Sequence, residues 1–138
     1  MSIEANRAAA LAFYDHLSNA RFDAMFAMMS DDAEWRVAGD PASFPPAGTL
    51  PKIERFKMFD AFVTTFRELV VTVVETTAEG DRVCCELTAR GETHGGVVYE
   101  NEYLTRLRFR DGTIVHIYEH CDQQAVFELG RALQKPSP

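Results

Sequence analysis

The stretch VVYENEYLTRLRFRDGTIVHIYEHC, residues 97–121, decides the fold. From Val97 to Arg110 two sets of residues alternate: Tyr99, Asn101, Tyr103, Thr105, Leu107 and Phe109 against Glu100, Glu102, Arg106, Arg108 and Arg110. A period of two with one largely apolar set marks a strand with one face in a core and the other in water. Asp111-Gly112 then turns the chain, and Thr113 to Cys121 reads as the return strand of a hairpin.

Upstream the same signal repeats. Thr93-His94-Gly95-Gly96 is a turn, and Arg82 to Glu92 alternates Val83, Cys85, Leu87 and Ala89 with Arg82, Cys84, Glu86, Thr88 and Arg90. Ala78-Glu79-Gly80-Asp81 is the turn before it, and Leu69 to Thr77 carries the β-branched Val70, Val71, Val73 and Val74. Further upstream the period changes to that of helices. Ala10, Phe13, Tyr14 and Leu17 lie on one side of a helix over Glu4–Asn19, with Ser2 as its cap; Phe22, Met25, Phe26 and Met29 make a second, shorter stripe that Ser30-Asp31-Asp32 ends. A short apolar-polar segment around Trp35 and Val37 leads to a loop with three prolines and two glycines between Gly39 and Gly48. Thr49 is expected to cap a third helix with Pro51 in its first turn and Ile53, Phe56, Phe59, Phe62, Val63 and Phe66 on one broad face. Asp122 to Leu133 reads as a closing helix, followed by the tail Lys135-Pro136-Ser137-Pro138.

Helices followed by a run of antiparallel strands is an α+β order. It predicts a cone-shaped, curved antiparallel sheet covered by three N-terminal helices, with a pocket between the two layers. One domain over residues 1–138 is expected, with a core over about residues 4–133 and a flexible C-terminal tail. A net charge of −7 argues against nucleic acid or an anionic membrane surface as partner. No apolar run reaches the length of a bilayer span, and Met1-Ser2-Ile3-Glu4 has neither the basic start nor the apolar stretch of a signal peptide, so a cytoplasmic location is expected. Three cysteines, Cys84, Cys85 and Cys121, two of them adjacent, predict reduced thiols acting as small buried fillers. No CxxC or helical HxxxH spacing is present, so no metal or other cofactor is implied.

Four short motifs then carry a resemblance. Asp31-Asp32-Ala33-Glu34-Trp35, Ala47-Gly48-Thr49 at the end of the loop, Asp111-Gly112-Thr113-Ile114, and Glu119-His120-Cys121-Asp122, in this order of elements, resemble the SnoaL-like branch of the nuclear-transport-factor-2-like superfamily. The resemblance covers nearly the whole chain and implies a cone-shaped pocket that in this superfamily serves isomerases, polyketide cyclases, dehydratases, epoxide hydrolases and non-enzymes. The ketosteroid isomerases among them use an Asp base with a Tyr and a protonated Asp as oxyanion donors. Asp40-Pro41 is similar to that base and its following proline, but the tyrosine falls on Phe13, beside Tyr14, and the protonated acid on Thr105. Phenylalanine donates no hydrogen bond, so steroid isomerisation by that arrangement is not expected.

Polar residues on buried faces are the remaining pointers, because each costs about 1–3 kcal/mol without a partner. Asn101 and Thr105 share a face with Tyr99, Tyr103 and Leu107, and either bond to each other or water, or orient a substrate carbonyl. Glu119 depends on the hairpin. A two-residue loop turns His116, Tyr118 and His120 toward Thr105, whereas a three-residue loop with a glycine bulge turns Val115, Ile117, Glu119 and Cys121 there. The second set is the more apolar, which favours Glu119 inward as an acid/base group, unless Arg90 or Arg36 locks it in a salt bridge. Asp40 and Asp122 are the other acid/base candidates, the latter equally a helix cap. Phe13, Tyr14, Trp35, Phe44, Phe56, Phe59, Tyr103, Ile117 and Cys121 are expected around the ligand.

The sequence therefore predicts a cofactor-independent enzyme of isomerase, cyclase or dehydratase type moving a proton on a small apolar or aromatic carbonyl compound. The alternatives are a non-catalytic ligand-binding module, or a protein-interaction module, of the same fold. The charged outer strand face bearing Glu100, Glu102, Arg106 and Arg108 is expected to make a homodimer.

Overall fold

The computed structural model describes residues 2–134; the C-terminal tail expected to be flexible lies outside them. The elements run α1 (Ile3–Ser18), α2 (Phe22–Ala27), β1 (Met29–Val37), β2 (Gly48–Pro51), α3 (Lys52–Val63), β3 (Phe66–Glu79), β4 (Arg82–Thr93), β5 (Val98–Arg110), β6 (Thr113–Cys121) and α4 (Gln123–Gln134). The six strands form one curved, unclosed sheet in the order β2-β1-β6-β5-β4-β3. All neighbours are antiparallel except β1 and β6, which are parallel, so the sheet is mixed at that one seam. Helices α1–α3 cover one face, and Ala10, Phe13, Tyr14 and Leu17 of α1 are buried against it, as the periodicity predicts.

Local differences from the sequence reading have physical reasons. Met29 leaves the α2 stripe and starts β1, because Ser30-Asp31-Asp32 ends the helix by extending the chain. Thr49 does not cap α3. It lies in β2 opposite Arg36, and Pro51, with φ −60° and ψ 155°, is both the last strand residue and the N-cap. Ile53 is 62 % exposed and Phe66 opens β3, so the apolar face of α3 is shorter than expected and runs through Phe59 and Phe62. Phe66 packs across Gly91, where an added Cβ would stand 2.7 Å from the Phe66 ring, so glycine is what allows the start of β3 and the end of β4 to lie that closely. Among the cysteines Cys85 is buried and Cys121 partly so, but Cys84 is exposed on the outer face and fills nothing.

The hairpin after β5 resolves the question of faces in a third way. Asp111 and Gly112 alone form the turn, both with positive φ (51° and 80°), as a two-residue reversal requires. Phe109 pairs with Ile114 but Arg108 pairs with His116, leaving Val115 as an extra residue in β6. This bulge, not a longer loop, reverses the alternation. Ile114 therefore takes the inward place expected for Val115, and Ile117, Glu119 and Cys121 face the helices.

Candidate active site

Residues that share the concave face come together in rows. Cys85, Thr105 and Glu119 lie side by side on β4, β5 and β6, with Val37 of β1 next to Glu119; Leu87, Tyr103 and Cys121 form the adjacent row. Between this face, α3 and the β1–β2 loop is a cavity of about 160 Å³. Its walls are Trp35 and Val37 from β1, Phe44 and Pro46 from the loop, and Met58, Phe59 and Phe62 from α3. Val126 of α4 and Cys121 complete the apolar part, and Arg55 and Glu119 are its charged groups. A larger hollow of about 720 Å³ lies on the outer side of β3–β5, open to water and edged by Glu68, Glu92, Glu100 and Glu102. Its walls bring no desolvated reactive group together, so the smaller cavity is the candidate site.

Glu119 is partly buried by area, because it borders the cavity, but protein atoms surround it closely enough that burial pushes its carboxyl up to about 7. Two groups pull the other way: the Arg55 guanidinium, through its charge, and the indole N–H of Trp35. Arg55 forms no salt bridge with it. The expected alternatives do not hold Glu119 either, since Arg90 pairs with Glu100 at 3.5 Å and Arg36 lies over the Tyr118 ring, 5.3 Å from its centroid.

Arg55 is 4 % exposed, and its four terminal N–H groups are used in the protein. Nη1 donates to Pro46 O at 2.9 Å and to Met58 Sδ at 3.2 Å; Nη2 donates to Trp35 O at 3.0 Å and Gly48 O at 2.9 Å. Nε has no partner. Burial lowers the guanidinium's pKa and the Glu119 charge opposes this, so the two groups stabilise each other's charges across a short gap. The sequence reading missed Arg55, although the signal was present: Arg55, Phe59 and Phe62 stand at i, i+4 and i+7 on one face of α3.

The polar misfits on β5 have partners. Asn101 Nδ2 donates to Tyr99 Oη at 2.7 Å and to Asp122 O at 3.0 Å, and its Oδ1 accepts from Glu102 N at 2.7 Å and Asp122 N at 3.0 Å. All four of its hydrogen-bonding positions are occupied, so it fastens the β6–α4 junction to β5 and has none left for a carbonyl. Thr105 Oγ1 and Tyr14 Oη share a hydrogen bond of 2.7 Å in the core. Burial raises the Tyr14 and Tyr103 hydroxyl pKa values well above normal and pushes the Cys121 thiol up to about 11, so none of these is an anion near neutral pH.

The remaining expected site residues divide by place. Trp35, Phe44, Phe59 and Cys121 line the cavity with Glu119. Phe13 and Ile117 are fully buried core, Phe13 edge-on to Tyr14 at 5.2 Å between ring centres. Phe56 packs on Phe26 with ring centres 4.7 Å apart, outside the cavity. Tyr103 hydrogen-bonds Tyr99. The two other carboxylates are exposed and serve the backbone: Asp40 Oδ1 accepts from Ala42 N at 3.0 Å in the loop turn, and Asp122 Oδ1 accepts from Gln124 N at 3.0 Å at the start of α4. Neither reaches the cavity.

Known proteins share this fold. The sequence pattern of the SnoaL-like domain matches residues 10–117. Among solved structures, PrhC from Penicillium brasilianum superposes with a TM-score of 0.83 at 18% identity, covering 95% of this chain and 89% of its own. BvnE pinacolase from Penicillium brevicompactum gives 0.79 at 19%, covering 94% of each chain. A nuclear-transport-factor-2-like protein from Burkholderia pseudomallei gives 0.78 at 19%, covering 94% and 98%. At these identities the likeness is one of fold. No curated protein matches by sequence. With the family pattern matched over most of its length and the cone-like sheet and helices in place, the chain belongs to the SnoaL-like family.

Proposed function

We propose that the protein is a cofactor-independent acid/base enzyme acting on a small, mostly apolar carbonyl compound, with Glu119 as the group that takes and returns the proton. The observation that carries this reading is a carboxyl on the wall of an apolar cavity, in no salt bridge among the described residues, with a pKa pushed up to about 7. Such a group is a competent base and a competent acid at the same pH. As carboxylate it removes a proton from the carbon beside the carbonyl; as carboxylic acid it delivers that proton to another position, giving an isomerisation, or supports loss of water or ring closure. Arg55 keeps the carboxylate form accessible despite burial. One solved protein of this fold is named a pinacolase, so the fold carries an enzyme site in that protein.

The cavity bounds the substrate, since an apolar void of about 150 Å³ holds benzene. The test is deuterium uptake at the α-carbon of 1-indanone in heavy water, followed by NMR. The wild-type protein is expected to accelerate uptake over buffer, and Glu119→Gln to remove about 100-fold or more of that acceleration. Equal uptake by the two proteins overturns the reading.

We propose further that two copies pair through the outer sheet face. Along β5 its outward residues run Glu100, Glu102, Leu104, Arg106, Arg108, with Leu104 61 % exposed at the centre. A two-fold axis at Leu104 sets acidic residues of one copy against basic residues of the other.

A further inference from the structure

Five buried side-chain polar atoms lack a hydrogen-bond partner among the described residues: Asn6 Oδ1, Trp35 Nε1, Arg55 Nε, Arg106 Nε and His116 Nδ1. A buried donor without a partner is costly and calls for an explanation. Two of the five, Trp35 Nε1 and Arg55 Nε, belong to residues that line the cavity beside Glu119. Trp35 is 4 % exposed, and its ring is fixed by Phe13, Phe26 and Phe59, with ring centres 6.0–6.3 Å away. Its main-chain oxygen is bound by Arg55 Nη2. The indole is thus held rigidly at both backbone and ring; its N–H stands beside the Glu119 carboxyl, whose charged form it helps to stabilise, but outside hydrogen-bonding geometry to it. A donor so placed is pre-organised for an acceptor better aligned than that carboxyl.

We propose that the indole N–H of Trp35 is the donor that receives the substrate's carbonyl oxygen, making this a site for small apolar molecules with one acceptor oxygen held between Trp35 and Glu119. The inference rests on the acid/base reading for its chemistry and adds the group that polarises the carbonyl. Asn101, expected in this role, has all four hydrogen-bonding positions filled, and Thr105 is bonded to Tyr14 in the core. As Glu119 takes the α-proton, negative charge grows on the carbonyl oxygen, and a fixed N–H is worth more to that oxygen than to the neutral ketone. Arg55 adds positive potential from the same side.

The experiment compares two probes of one shape, 1-indanone and indane, by calorimetric titration. Because Trp35 is the only tryptophan, supplying benzothienylalanine in place of tryptophan exchanges this one N–H for sulfur and leaves ring shape intact. Trp35→Phe serves as a genetic check, and the isosteric replacement keeps the question answerable if the smaller ring loosens the core. The sulfur protein is expected to bind 1-indanone about tenfold more weakly than wild type while indane is unchanged. Equal losses for both probes make Trp35 a wall only and overturn the proposal, as does a wild-type protein that binds neither. Glu119→Gln separates the two readings: if it exchanges deuterium as well as wild type while the sulfur protein still loses 1-indanone, the acid/base assignment falls and the donor assignment stands.

Discussion

At the scale of single residues, the Glu119 proton is coupled to stability. Its carboxyl binds the proton more tightly in the folded protein, at about 7, than in the unfolded chain, where it titrates as an ordinary glutamate. A raised carboxyl pKa contributes stability that is fully present below the unfolded value and is lost as pH rises through the folded one. The loss between about pH 4.5 and 7 is at most about 3 kcal/mol, reduced by whatever solvent reaches the cavity. Wild type is therefore expected to lose thermal stability relative to Glu119→Gln from pH 5 to pH 8, measured by calorimetry in matched buffers. A difference between the two proteins that does not vary with pH removes the raised pKa from the account. Trp35 gives a parallel optical reading, because the only indole of the chain lies against the titrating carboxyl: its emission should change with a midpoint near 7 in wild type and not in Glu119→Gln.

At the scale of elements, alternation along β4 and β5 was fully legible, because period-two burial is a property of each strand alone. The inward turn of Glu119 was reached for a sound reason, the apolarity of its companions, through the wrong device. A bulge at Val115 is invisible to periodicity, since it is a mismatch between two strands. Asn101 and Thr105 were recognisable as buried polar residues, but their partners lie far along the chain, Asp122 at 21 residues and Tyr14 at 91. Arg55 was overlooked because charged residues on helices are ordinarily solvated, and only its place between the strand and the loop gives it carbonyl partners. The amide of Asn101 makes four hydrogen bonds that join β5 to the β6–α4 junction, so Asn101→Ala is expected to cost about 3 kcal/mol of stability, read as a lower midpoint in urea, with 1-indanone affinity little changed in the protein that remains folded. A large loss of affinity with unchanged stability would return Asn101 to the ligand.

At the scale of the whole molecule, charge is sorted by face. The inner face carries Glu119 and Arg55 and little else that is ionised, whereas the outer face holds the acidic hollow at one end and Arg36, Arg106 and Arg108 toward the other, with exposed Val70, Val74 and Leu104 among them. Sedimentation equilibrium is expected to give a dimer at tens of micromolar that weakens with salt. The double variant Arg106→Glu, Arg108→Glu should be monomeric, and adding Glu100→Arg and Glu102→Arg should restore pairing. A monomeric wild type counts against the self-complementary face.

The three main-chain carbonyls gathered on Arg55 also set how the cavity can change size. They come from β1, from Pro46 in the loop and from Gly48 at the start of β2, so one side chain of α3 rivets the floor and the rim of the site together. The loop cannot swing outward without stripping a buried guanidinium of its acceptors, so breathing of the backbone is an expensive way to admit a bulkier guest. Truncation of a single ring is the cheap way, and Phe59 and Phe62, neither bound to Arg55, are the rings on α3 that line the cavity. The size limit of this site is accordingly written in side chains on one helix, where a family can widen it one substitution at a time while the rim stays shut.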